Sequence, residues 1–131
     1  MKIIYLIFIS TLFLSCDEHF ETKDLYGYYT SVNYRNTFDT LRFLPDGVYQ
    51  RKIYNQSKKI VLEMHGKWLL INQHSLKIDS YFLNLDRDLV KFPELVNDTS
   101  MTITTNFEIR NRVIQFCVGY HDGENCYQKV K

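Results

Sequence analysis

Two prolines and five glycines are all that punctuate the 131 residues, too few for a collagen-like repeat or a low-complexity linker. Neither charge is in excess: 16 basic residues stand against 15 acidic ones. The clustered basic face that nucleic acid demands is therefore missing, as is a polybasic patch for anionic lipid. No apolar run reaches the roughly 20 residues that carry a helix across a bilayer. The chain also lacks a Gly-x-Ser-x-Gly elbow, a glycine-rich phosphate loop and a Cys-x-x-Cys pair, which removes common signatures of nucleophilic, nucleotide and redox chemistry. What is present is aromatic. Phe, Trp and Tyr make up 15% of the chain, enough large rings to fill the core of one small domain.

The first residues pair one basic side chain, Lys2, with a mostly apolar run that ends at Leu14, Ser15 and Cys16. A charged start, a run too short to span and a small residue at its end read as a secretory signal. The stretch Leu12-Phe13-Leu14-Ser15-Cys16 resembles the lipobox of bacterial lipoproteins. That resemblance implies a signal peptide over residues 1–15, removed on maturation, and Cys16 acylated on its sulfur and its amine. More than one acyl chain anchors stably where a single chain binds only marginally. Asp17, Glu18 and Glu21 follow, so residues 16–24 read as an acidic, solvated tether. In some Gram-negative lineages such an acidic patch routes a lipoprotein outward, so the expected place is the outer membrane, at the cell surface or the periplasmic face. The mature chain has 116 residues once 15 are removed from 131, enough for one domain with one core.

From residue 25 to 131 strand signals follow one another with no sustained helical period. Leu41 and Phe43 alternate with polar neighbours, Pro45-Asp46-Gly47 supplies a turn, and Val48 to Tyr54 returns. Phe43 and Tyr49 then face each other across a hairpin. Leu62, Met64, Trp68 and Leu70 share a face past Gly66, where a glycine inside a strand marks a bend. Asn72-Gln73-His74 turns the chain, and Ile78, Ser80 and Phe82 alternate against Tyr81. Residues 84–99 show no period. Ile103 and Phe107, then Phe116 and Val118, line further inward faces, and Asp122-Gly123 marks a last hairpin. About eight short strands joined by tight turns predict an all-β fold, a small antiparallel up-and-down barrel.

Leu25-Tyr26-Gly27-Tyr28-Tyr29 is similar to the Leu-x-Gly-x-Trp that opens lipocalin-like barrels, with Tyr29 in place of Trp. Residues 41–49 look like the Phe-x-x-Asp-Gly-x-Tyr hairpin of small bacterial lipocalin-like lipoproteins. Gly66-Lys67-Trp68 and Leu76-Lys77-Ile78 match the same group. The resemblance covers most of residues 25–78 and implies a barrel that is filled by side chains or holds one small ligand. Tyr29, Phe43, Tyr49, Arg51, Trp68 and Phe107 are the interior residues such a ligand would meet, although the number of large side chains favours a filled interior. Arg51 shares the inward face with Tyr49 and Ile53. It is open to an internal acid, an anionic ligand or the rim, and snorkelling to the rim is the simplest expectation.

Candidate chemistry is thin. His19, His65, His74 and His121 lack metal-ligand spacing, Glu63 and His65 read as solvated, and Asp86 and Asp88 around Arg87 read as an exposed loop rather than a glycosidase pair. No catalytic residue, metal or cofactor is expected. With Cys16 taken by lipid, Cys117 and Cys126 remain, an even pair outside the reducing cytosol. A loop over residues 120–123 sets Gly119 opposite Glu124 and Cys117 opposite Cys126, both turned outward, with Tyr127 inward, so a structural disulfide between Cys117 and Cys126 is expected. The expectation is a monomeric, non-enzymatic, lipid-anchored binding module for a small apolar ligand or a protein partner. Its alternative is an inhibitor or immunity-type protein that blocks a foreign hydrolase through residues 84–99. The anchor is directly testable: mature protein should partition into detergent, and Cys16→Ala should abolish acylation of the N-terminal peptide as read by mass spectrometry.

Overall fold

The computed structural model describes residues 18–32, 37–83, 101–119 and 123–131. The expected signal peptide, Cys16 and the segment 84–99 lie outside the described residues. A short helix, α1 (Thr22–Leu25), leads into eight strands: β1 (Gly27–Ser31), β2 (Thr37–Phe43), β3 (Val48–Asn55), β4 (Ile60–Ile71), β5 (Ser75–Ile78), β6 (Ile103–Arg110), β7 (Val113–Cys117) and β8 (Cys126–Lys129). Each strand pairs antiparallel with the next and β8 returns to β1, closing the barrel. Closure gives every strand a paired neighbour on both sides over at least part of its length.

Alternation sets the interior. Thr37, Asp39, Leu41 and Phe43 of β2 are all buried, and the register pairs Tyr29 with Leu41, Leu41 with Arg51 and Arg51 with Met64. Phe43 does pair with Tyr49. β4 runs unbroken through Gly66, where a Cβ would come within 2.6 Å of both the Asp79 carbonyl and the Tyr49 ring. The glycine is needed there for room rather than for a bend. Leu62 and Met64 are only half-buried, because four-residue β5 pairs with residues 68–71 of β4 and not with the earlier part.

Two local expectations are corrected. The strand expected to run on to Phe82 stops at Ile78, and Ser80 adopts a left-handed φ of 55°. That residue reverses the alternation, so Tyr81, expected outside, is 1% exposed, while Phe82 is half-buried. The acidic stretch after residue 17 is not a free tether either. Phe20 is buried against Phe107 and its N–H donates to the Gln73 carbonyl, at 2.7 Å. The Glu18 carboxylate accepts from the Ile109 N–H at 2.7 Å. Lys129 Nζ donates to the Asp24 carbonyl, and Leu25 is fully buried. The burial of Phe20 within this run, with Leu25 just beyond it, outweighs the solvation of the acids around it.

This N-terminal segment lies across one end of the barrel, here the closed end, which also carries the turns at residues 44–47, 72–74 and 111–112. The far end carries the β3–β4 turn, the start of β2 and the β7–β8 loop. At that far end Gly119 N donates to Glu124 O and Val118 N to Asn125 O, which sets Cys117 opposite Cys126. Their sulfurs are 1.99 Å apart and their Cα atoms 3.9 Å apart, the close approach of a non-hydrogen-bonded pair. A bond that closes a separation of nine residues is worth up to about 3 kcal/mol by chain entropy. Replacing both cysteines by serine should lower the urea midpoint accordingly. Denatured, unreduced protein should show no reactive thiol from either position.

Candidate functional site

Inside the barrel, polar side chains gather toward the far end. Arg51 on β3 and Asp39 on β2 are diagonal neighbours across one strand pair. Arg51 Nε donates to both Asp39 oxygens at 3.1 Å, and Nη2 donates to Oδ2 at 2.6 Å. Both residues are buried, Arg51 to 1% exposure. Nη1 donates to the Phe82 carbonyl and approaches Met64 Sδ at 3.8 Å. The Tyr81 ring lies under the guanidinium at 4.1 Å, a cation–π contact that strengthens as water is excluded. Arg51 is therefore held by an internal acid, and the expectation that it snorkels to the rim is overturned. A side chain rooted in the middle of β3 finds its counter-charge two residues away on β2, nearer than the rim.

Tyr127 on β8 donates to Asp39 Oδ2 at 2.7 Å. Its own oxygen is 2.6 Å from the Tyr81 hydroxyl. A carboxylate only accepts, so the Tyr127 proton is committed to Asp39 and Tyr81 must donate to Tyr127. Tyr49 OH donates to the carbonyls of Asp79 and Ser80, at 3.0 and 2.9 Å. Burial pushes the Tyr49 phenol up to about 12, with Arg51 pulling it down and Asp79 up. Burial likewise drives Tyr81 and Tyr127 well above the usual phenol range against the opposing pull of Arg51. For Arg51, burial penalises the cation, but Asp39 and the tyrosine oxygens outweigh it and the guanidinium stays charged. These groups hold their protons at neutral pH. Among the described residues, Ser31 Oγ and Thr37 Oγ1 are buried with no hydrogen-bond partner.

The other half of the interior is aromatic. Phe43 meets Trp68 at 4.6 Å between ring centroids, Tyr29 at 5.1 Å and Phe116 at 5.8 Å. Phe107 meets Phe116 at 5.4 Å, and such ring pairs add about 0.5–1.5 kcal/mol each beyond burial. Tyr29 OH donates to the Leu25 carbonyl at 2.9 Å and Trp68 Nε1 to the Leu44 carbonyl at 3.1 Å. Of the six residues expected to line a ligand site, Tyr29, Phe43, Trp68 and Phe107 thus belong to one packed cluster. Tyr49 and Arg51 belong to the polar group. Sequence reasoning missed Asp39 and Tyr81. Asp39 was within reach, since it continues the period of Leu41 and Phe43; Tyr81 was hidden by the turn at Ser80. Among the described residues no group of His, Cys, Asp and Glu gathers that could hold a metal ion.

A closed, antiparallel, eight-stranded up-and-down barrel is the class that this fold defines, and it is compatible with the lipocalin-like resemblance of residues 25–78. In comparison with known proteins, no family model, curated protein or solved structure matches the chain.

The buried pair generates a prediction. Arg51→Met or Asp39→Leu alone leaves one charge buried without its counter-charge and should cost about 3–5 kcal/mol. The double variant should cost clearly less than the sum in urea unfolding, because the two sites share one network. Additive losses would deny the coupling.

Proposed function

We propose that the protein is a lipid-anchored, non-enzymatic binding module of the cell envelope, and that its partner is a protein met on the outer wall of the barrel. The observation that carries this reading is a row of apolar side chains across three adjacent strands. Phe38 pairs with Tyr54, and Tyr54 with Ile60. Phe38 is 45% exposed and Ile60 49%, and the Phe38 and Tyr54 rings are 6.4 Å apart. Contiguous apolar and aromatic surface on a small monomer marks contact sites, and aromatic residues are enriched where proteins meet. The interior supports the same choice over a small apolar ligand. The rings that would receive such a ligand pack against one another, and their polar tips are committed to backbone carbonyls. The membrane anchor rests on Cys16 and the apolar run before it.

A photo-crosslinking residue placed at position 38 in intact cells tests the reading. It should give a discrete protein adduct, and the same residue at Gln50, exposed nearer the closed end, should not. Ile60→Lys should weaken the adduct more than tenfold, as expected for losing an apolar anchor worth about 2 kcal/mol, without shifting thermal unfolding. A stoichiometric small molecule retained in native mass spectra, with no adduct at position 38, would reverse the reading in favour of ligand binding.

A further inference from the structure

The contact between Glu18 and Ile109 bears on how the barrel stands on a membrane. Two trans peptide links separate Cys16 from Glu18, so their Cα atoms are at most about 7.6 Å apart. Glu18 in turn is fixed to the start of the β6–β7 turn, by the bond from Ile109 N–H at 2.7 Å. Phe20, buried two residues later, and α1 beyond it hold the following chain across the closed end. An acyl group on Cys16 therefore leaves the molecule beside this turn, with Asp17 as the only residue between the anchor and the folded body.

The turn suits that position. Asn111 and Arg112 both take left-handed φ, 53° and 64°, and the flanking pair is Arg110 with Val113. This is the geometry of a tight two-residue hairpin turn that projects its side chains outward. Ile109 is 50% exposed, and Arg110 and Arg112 are exposed as well. Arg110 lies 3.9 Å from Glu108, with both side chains largely in solvent, a pairing too weak to hold it. Arg112 has no ion pair among the described residues. Arginine matches phosphate in fork geometry, and its stem tolerates an interfacial setting. The closed end as a whole carries both signs, with Glu21 on Lys23 at 2.6 Å, so long-range attraction does not select this face. The covalent anchor does.

We infer that the closed end of the barrel rests on the membrane, with the β6–β7 turn seated among phospholipid headgroups: Arg110 and Arg112 on phosphates and Ile109 at the level below them. This rests on the anchor in the proposed function. Strands alternate in direction, so the far end, with the Phe38–Tyr54–Ile60 row and the β3–β4 turn, then points away from the bilayer, toward any partner.

The test uses full-length protein matured in the expressing cell and extracted from its membranes, with the mass of its N-terminal peptide reporting acylation. A fluorescent non-natural residue replaces either Arg112 or Lys58, the latter exposed in the β3–β4 turn. Each protein is reconstituted in phosphatidylcholine vesicles carrying a headgroup-attached quencher. Quenching several-fold stronger at position 112 than at 58 is expected, and Glu18→Ala should bring the ratio toward one while acylation persists. Equal quenching at both positions with Cys16 acylated would overturn the orientation and leave the anchor standing. A ratio that Glu18→Ala leaves unmoved would overturn the part assigned to that contact. An unmodified Cys16 would overturn the anchor, and the orientation with it.

Discussion

A guanidinium inside a barrel of this size must be matched where it stands, and the far half of the interior is arranged around that requirement. Desolvating Arg51 costs several kcal/mol before any contact is made. Asp39 supplies the counter-charge, but a carboxylate with acceptor capacity to spare needs further donors. Tyr127 provides one, and its own oxygen then needs a partner, which Tyr81 provides. The face of Tyr81 returns to Arg51. Four side chains from β2, β3, β8 and the segment after β5 thus close a loop of contacts, with Asp39 and Tyr127 separated by 88 residues of chain. The full set of contacts forms only when all four segments are in register.

That dependence explains the course of the chain past β5. An ordinary strand continuing to Phe82 would present Tyr81 to solvent and leave one face of the guanidinium bare. Ser80 in a left-handed conformation, an uncommon state for a residue with a side chain, turns the chain so that Tyr81 enters. Tyr49 then holds the turn by donating to the Asp79 and Ser80 carbonyls. Gly66 leaves the space in which the Asp79 carbonyl and the Tyr49 ring cross β4. The opposite half has no such demand and is filled by contact among rings, sealed by Phe20 and Leu25 from the N-terminal segment.

Legibility in the sequence divides along the same line. Period-two alternation is a local signal, and it placed Tyr29, Phe43, Tyr49, Phe107 and Phe116 on inward faces and aligned Cys117 with Cys126. It also put Arg51 inside, and extended two residues back from Leu41 it reaches Asp39, but an acid on an inward face reads as a break in the apolar pattern rather than as a partner. Tyr81 was lost to a single dihedral angle that composition does not encode. The stretch from Glu18 to Asp24 misled for a different reason. Its acids outnumber its apolar residues, yet burial is decided by Phe20 individually, and its target, Phe107, lies far along the chain.

The same coupling bears on whether the interior could serve a ligand. A small apolar molecule of micromolar intrinsic affinity brings about 8 kcal/mol. To sit near Arg51 it would have to separate a buried ion pair from its donors, at about 3–5 kcal/mol, which leaves roughly 3–5 kcal/mol, an affinity between about 0.2 and 6 mM. To enter the aromatic half it would have to part rings that already contact one another, losing their packing before gaining its own. On the outer wall no such loss precedes contact: Phe38, Tyr54 and Ile60 stand on paired strands whose backbone is already satisfied. A partner covering them gains the burial of their exposed area at the cost of association alone. Rigidity inside and apolar surface outside are therefore complementary, since the interior network holds β2 and β3 in register and so fixes two of the three strands on which the row depends.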